Sequence, residues 1–229
     1  MNKYLLVFLA FPAICFMGCK DEAYKVPPPS PANSYFPQTL GSTWTYRDSI
    51  YGEKTDTANI YGVKIASITY TITGSTTDFN SAVCYDANVL SALNVSNIAY
   101  FYANKQTFGL RETTPPFGFT YFEFLTDTAA SVGYSWTCSP TGNRLLNGDP
   151  IQSINTVREK NITKVVGGKT FTNVIHTSAN FQIQIDGVGF HNIAYYDFYL
   201  AKGVGLIEKD TYAYGNLNAV QTIMGYTIK

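Results

Sequence analysis

The folded part of the chain is written in a two-residue rhythm. In "STWTYRDS" (42–49), Trp44 and Tyr46 fall on one side, with Thr43, Thr45 and Arg47 on the other. "SITYTITG" (67–74) groups Ile68, Tyr70 and Ile72, and "FQIQID" (181–186) sets Phe181, Ile183 and Ile185 against Gln182, Gln184 and Asp186. Such alternation predicts strands with one buried face, because successive side chains leave a strand on opposite sides. "FTYFEFL" (119–125) and "IAYYDFYL" (193–200) are denser and predict strands with aromatic residues on both faces. Turn chemistry separates the runs at "GSTTD", "TTPPFG", "SPTGN", "NGDP", "VGGK" and "YGN", at spacings that indicate antiparallel meanders. "DANVLSALN" (86–94) is the best short helix candidate. The expected fold is all-β and mainly antiparallel, with roughly 11 strands and little helix beyond the leader. That is too many strands for one flat sheet, so a strongly curved sheet, half-barrel or sandwich follows.

The first 34 residues follow a different rule. Tyr4 to Met17 carry no charge after Lys3, a run too short and too weakly flanked for a membrane span but of the length of a secretory signal. "Phe-Met-Gly-Cys" (16–19) resembles a bacterial lipobox, which implies cleavage after Gly18 and acylation of Cys19. It departs from the lipobox pattern at Phe16, where Leu is preferred, and at Met17, where a small residue is preferred. Two or three acyl chains hold a protein durably at a bilayer, at about 0.8 kcal/mol per buried methylene. Lys20, Asp21 and Glu22 resemble the acidic signal that carries some Gram-negative lipoproteins to the outward face. "VPPPSP" then reads as a stiff, extended spacer. The expected organisation is a signal peptide over 1–18, a lipidated tether over 19–34, and one β-rich domain over 35–229. The expected location is the outer membrane of a Gram-negative bacterium, facing outward.

Composition narrows the function more than it names it. From Cys19 onward, 15 Lys and Arg face 16 Asp and Glu, so nothing electrostatic favours nucleic acid. Tyr (18) and Phe (15) are abundant, which suits pleated, half-buried surfaces. Cys84 and Cys138 are the only thiols of the mature domain. In an oxidising compartment they could pair, closing a loop of 54 residues for about 4 kcal/mol, or they could stand as two separate buried thiols.

A second resemblance lies at the ends of the domain. "YFPQTLGSTWTY" (35–46), "VVGGKTFTNVIH" (165–176) and "YYDFYLAKGVGLIEKD" (195–210) are similar to a broad group of bacterial secreted lipoproteins of mostly unknown function. That group has the patterns F-P-x-x-x-G-x-x-W-x-Y and A-x-G-V-G-L. It implies relation to the lipoprotein-carrier fold, a curved antiparallel sheet that cups an apolar ligand or a helix. It brings no catalytic residues.

The strings that resemble chemical motifs read as structural. "VVGGKT" has Thr163 where a phosphate-binding loop needs its first glycine, and a β-rich segment follows in place of a helix. Asn192 and Glu208 break the two candidate dinucleotide fingerprints at "GVGF" and "GVGL". His176 and His191 lack metal-ligand spacing, "GYSW" lacks the closing glycine of a nucleophile elbow, and Glu112, Glu123, Asp127 and Glu208 are dispersed. Ser49, Thr57 and Thr128 resemble the Asp-Ser/Thr-apolar signal for O-glycosylation. No cofactor and no metal are expected. The reading is a non-catalytic envelope protein with a binding or assembly role. A glycan or an apolar ligand is the candidate partner, and the alternatives are a carbohydrate-binding accessory of a glycan-uptake system or a hydrolase with a hidden site.

Overall fold

The computed structural model describes residues 34–229 except 38, 55–60, 80–81, 92–95, 105–106 and 115–117; the side chains of 53–64, 74–106 and 112–119 also lie outside the described part. Thirteen strands follow one another: β1 (Thr43–Lys54), β2 (Tyr61–Phe79), β3 (Ala82–Ser91), β4 (Ser96–Asn104), β5 (Thr107–Thr114), β6 (Gly118–Leu125), β7 (Ser135–Cys138), β8 (Leu145–Leu146), β9 (Asp149–Val166), β10 (Lys169–Ile185), β11 (Gly189–Ala201), β12 (Gly205–Ala213) and β13 (Asn216–Thr227). Among the described residues there is no helix.

Twelve strands form one antiparallel sheet in the order β6-β5-β4-β3-β2-β1-β13-β12-β11-β10-β9-β7, with β8 beside β9. The order is two meanders joined where β1 meets β13, so the first and last strands lie side by side at the centre. The sheet does not close by strand pairing. It curls until the edge strand β6 rests on the inner face of β9 and β10, where Thr177 Oγ1 donates to the Phe124 carbonyl at 2.7 Å. At the other edge the Tyr121 amide donates to the Pro140 carbonyl at 2.9 Å.

Period two decides which face is buried. Trp44, Tyr46, Tyr70 and Ile72 are buried, as are Phe122 and Phe124 on β6, Phe181 on β10, and Tyr196, Phe198 and Leu200 on β11. The rings meet at angles that suit their quadrupoles: Phe122 lies 5.0 Å from Tyr196 and 5.8 Å from Phe198, both edge-on. The alternation in "FQIQID" weakens toward its end, where Ile185 is exposed at the hairpin tip.

Two segments depart from expectation. The helix candidate at 86–94 is strand through Ser91, because β2 and β4 pair with its backbone on both sides. An isolated helix of nine residues would have had only its own turns to hold it. "GSTTD" is likewise not a turn: β2 runs on to Phe79 and absorbs it as an irregularity between Ile72 and Thr76.

The turns at "VGGK" and "YGN" and the two G-V-G strings are hairpin connections. Gly167 has φ +57°, and a Cβ there would sit 2.8 Å from the Ile223 carbonyl oxygen, so this corner admits only glycine. The motif at 35–46 meets the A-x-G-V-G-L turn in space. Trp44 Nε1 donates to the Val204 carbonyl and the Tyr46 hydroxyl to the Leu206 carbonyl, each at 2.7 Å. Gly203 N donates to the Ser34 carbonyl at 2.7 Å, tying the start of the domain to the same turn. These motif residues build one end of the core.

Candidate functional site

The outer face of β9–β12 carries a polar and aromatic patch assembled from three rows across the strands. In the first row, Glu159 pairs with His176, His176 with Tyr199, and Tyr199 with Glu208. The second row sets Ser178 beside Asp197 and Asp197 beside Asp210; the third sets Asn180 beside Tyr195 and Tyr195 beside Tyr212. A bulge helps to aim them. Thr177 pairs with Val157 while His176 pairs with Glu159, so Arg158 is an extra residue, and its Nε donates to Ser178 Oγ at 2.7 Å.

His176 is held at both ring nitrogens. Nδ1 lies 2.9 Å from Glu159 Oε2 and Nε2 lies 2.7 Å from Asp197 Oδ1. Ionised carboxylates only accept, so the ring makes both contacts at once as an imidazolium. Burial opposes that charge, but the hydrogen bonds to Asp197 and then Glu159 outweigh it and hold the His176 pKa above its ordinary value. Tyr199 stacks on the imidazole at 4.3 Å, and Lys164 Nζ stands 3.5 Å from the centre of the same phenol while pairing with Glu208 at 2.8 Å.

Beside this group, Asp197 Oδ1 also accepts from the Tyr195 hydroxyl at 3.0 Å. Asp210 lies directly across the strands from Asp197. Its Oδ1 is buried with no hydrogen-bond partner among the described residues. Burial, followed by the Glu208 carboxylate, pushes its pKa up to about 6. Burial likewise raises Tyr195 and Tyr212, so these phenols stay protonated donors at neutral pH.

A second, part-buried polar group lies where the two edges meet. Trp136 Nε1 donates to Glu123 Oε2 at 3.0 Å, and Asn155 Nδ2 reaches Cys138 Sγ at 3.4 Å and the Glu123 carbonyl at 3.3 Å. Burial, then the neighbouring Glu123, pushes the Cys138 thiol up to about 12. Burial also raises Glu123, and its hydrogen bonds from Trp136 and Cys138 work against that. A thiol this reluctant to ionise is no nucleophile. The group seals a seam.

The residues singled out by sequence scatter. Cys19 and Thr57 lie outside the described residues, as does Lys20-Asp21-Glu22. Ser49 sits part-exposed on β1, and Thr128 stands in the loop after β6 with its carbonyl bonded to Lys160 Nζ at 2.9 Å. Cys138 is a free thiol among the described residues, and its candidate partner Cys84 has its side chain outside them. Among the described residues no group of three or more His, Cys, Asp and Glu could hold a metal.

The outer patch carries no sequence motif. Its signal was present as polar positions at period two in "VIHTSAN", "AYYDFYL" and "IEKDTYA", but only the strand order shows that these stripes are neighbours.

No family model matches the chain, and no curated protein matches it. Solved structures with a similar course include a Bacteroides fragilis protein classed as exported, with a YmcC-like fold, at 11% identity and TM-score 0.49, covering 84% of this chain and 98% of that one. A protein of Parabacteroides distasonis classed as a lipoprotein aligns at 13% identity and TM-score 0.49, with 84% and 98% covered. A β-barrel-like protein from Brucella abortus, from a domain of unknown function, aligns at 9% identity and TM-score 0.40, with 84% and 99% covered.

Proposed function

We propose that this chain is a lipid-anchored protein of the outer membrane, facing outward, whose β-domain binds a ligand without turning it over. The observation that supports binding over catalysis is His176. A general base needs a ring nitrogen open to its substrate, and both nitrogens of this imidazole are already committed to carboxylates. The thiol of Cys138 is equally disarmed by burial. What remains on the outer face is a fixed array of phenols, carboxylates and cations suited to recognition.

The anchor is tested by labelled palmitate. Label should enter the wild type and be absent from Cys19→Ser, which should move to the soluble fraction; label persisting in the variant sinks the anchor. Replacing Lys20, Asp21 and Glu22 by alanine should preserve labelling and shield the domain from protease added to intact cells. Continued digestion would make the triplet part of the tether only.

One observation supports a second reading, hydrolysis. Asp210 and Asp197 face each other, and Asp210 holds its proton up to a pH of about 6. A screen with glycan, ester, peptide and phosphate substrates should give no turnover above background. Turnover abolished by Asp210→Asn would replace the binding reading with the hydrolytic one.

A further inference from the structure

Next to the tyrosines, the outer face of β9–β11 becomes wholly uncharged. Gln152 Nε2 donates to Gln182 Oε1 at 2.9 Å, Gln182 Nε2 donates to Asn192 Oδ1 at 2.8 Å, and Asn180 Nδ2 donates to the same oxygen at 2.8 Å. Four amides thus fix one another's orientation. The network uses only part of their capacity: Asn192 Nδ2, Asn180 Oδ1 and Gln152 Oε1 take no part in these three bonds. Phe190 flanks the network on one side, 43% exposed and paired with Gln184. Tyr195 flanks it on the other.

We propose that this amide band is a binding site for a neutral oligosaccharide. The inference rests on the binding reading above and names the ligand class for that same face. Charge complementarity selects the occupant. None of Gln152, Asn180, Gln182, Gln184, Asn192 and Phe190 is charged, so an ionic ligand would be desolvated here without a counter-charge. The fixed amides offer donors and acceptors side by side, which matches vicinal hydroxyls, each of them both donor and acceptor. The flanking rings offer apolar faces to the C–H surface of a sugar. Peptide addition as an extra strand is excluded in this region, because β10 and β11 are hydrogen-bonded on both sides and present no free edge. Preorganisation matters too, since amides already locked by one another lose little rotamer freedom on binding.

The test uses the mature, full-length protein in affinity gels containing soluble xylan, mannan, β-glucan or galactan, with pectin as the acidic comparison. The wild type should be retarded by at least one neutral polymer more than by pectin. Asn192→Ala with Gln182→Ala should weaken that binding at least tenfold while leaving the melting temperature within a few degrees. If the double variant unfolds, the exposed Phe190→Ala serves in its place, with the same loss expected. Retardation by none of the neutral polymers, or preference for pectin, overturns the proposal. So does binding that survives both sets of substitutions. Binding to a lipid extract in place of glycans would overturn the amide site and leave the broader binding reading standing, whereas turnover of a bound polymer would strike that broader reading.

Discussion

The two faces of β11 are built from the same dense string and do opposite work. Tyr196, Phe198 and Leu200 point inward and are almost wholly buried among Phe122, Phe124 and Phe181. Tyr195, Asp197 and Tyr199 point outward, where Asp197 binds His176 and the Tyr195 hydroxyl. The inner face is held by area removed from water and by ring packing, which depend on shape and little on pH. The outer face is held by charge-assisted hydrogen bonds, which depend on protonation and are weakened where water reaches them. The motif residues belong with the inner face: Trp44 and Tyr46 cap a turn with their polar tips and bury their rings. The residues of the two motif strings are therefore explained by packing.

The largest expected difference comes from the core. Trp44→Ala should cost about 3–5 kcal/mol in chemical denaturation, through the lost ring and the Val204 carbonyl left unpaired. A loss below 1 kcal/mol would mean that this end of the core is not a packed unit.

The seam comes next. Trp136→Phe removes the donor to Glu123 and should cost about 1–3 kcal/mol. Because burial raises the Glu123 pKa, the folded state holds its proton longer, so the cost should grow as pH rises through the carboxylate range. Alkylation of Cys138 at pH 8 should be slow in the native protein and rapid in denaturant, and without reductant denaturation alone should expose it. Failure to label in denaturant without reductant would show a bridge.

The outer face should give a smaller, pH-marked effect. His176→Gln should cost about 1–2 kcal/mol at pH 5. The His176 pKa is raised in the fold, so its contribution is complete below the unfolded value near 6.5 and disappears as pH climbs through the folded value. Asp210 acts in the same direction lower down. Its folded pKa of about 6 means that stability falls between about pH 4 and 6 as the buried carboxyl ionises, and Asp210→Asn should flatten that slope. A wild-type stability curve flat from pH 4 to 8 would contradict both assignments.

Smallest of all, Tyr214→Ser should change stability by no more than about 0.5 kcal/mol, since Tyr214 is 89% exposed at the β12–β13 tip. A larger loss would mean that the tip is covered by something in solution.

The alternation of apolar and polar residues determined by itself that Trp44, Tyr46, Tyr70, Ile72 and Phe181 face a core, because a strand leaves its side chains no other periodicity. Glycines at "VGGK" and "YGN" likewise marked the hairpin corners, where Gly167, Gly168 and Gly215 have positive φ that other residues adopt at a cost, as Tyr214 does beside Gly215. Local pattern misplaced residues 86–91 and 74–78, where pairing with neighbouring strands outweighed propensity and turn chemistry. It was also silent on the outer patch. Glu159, His176, Asp197 and Asp210 come from four strands and span 52 positions of sequence. Strand order, register and the single extra residue at Arg158 decided that a histidine would lie between two carboxylates. Those are tertiary facts: cross-strand neighbours are fixed by which backbones pair, and a one-residue shift in that pairing sends every side chain to the opposite face.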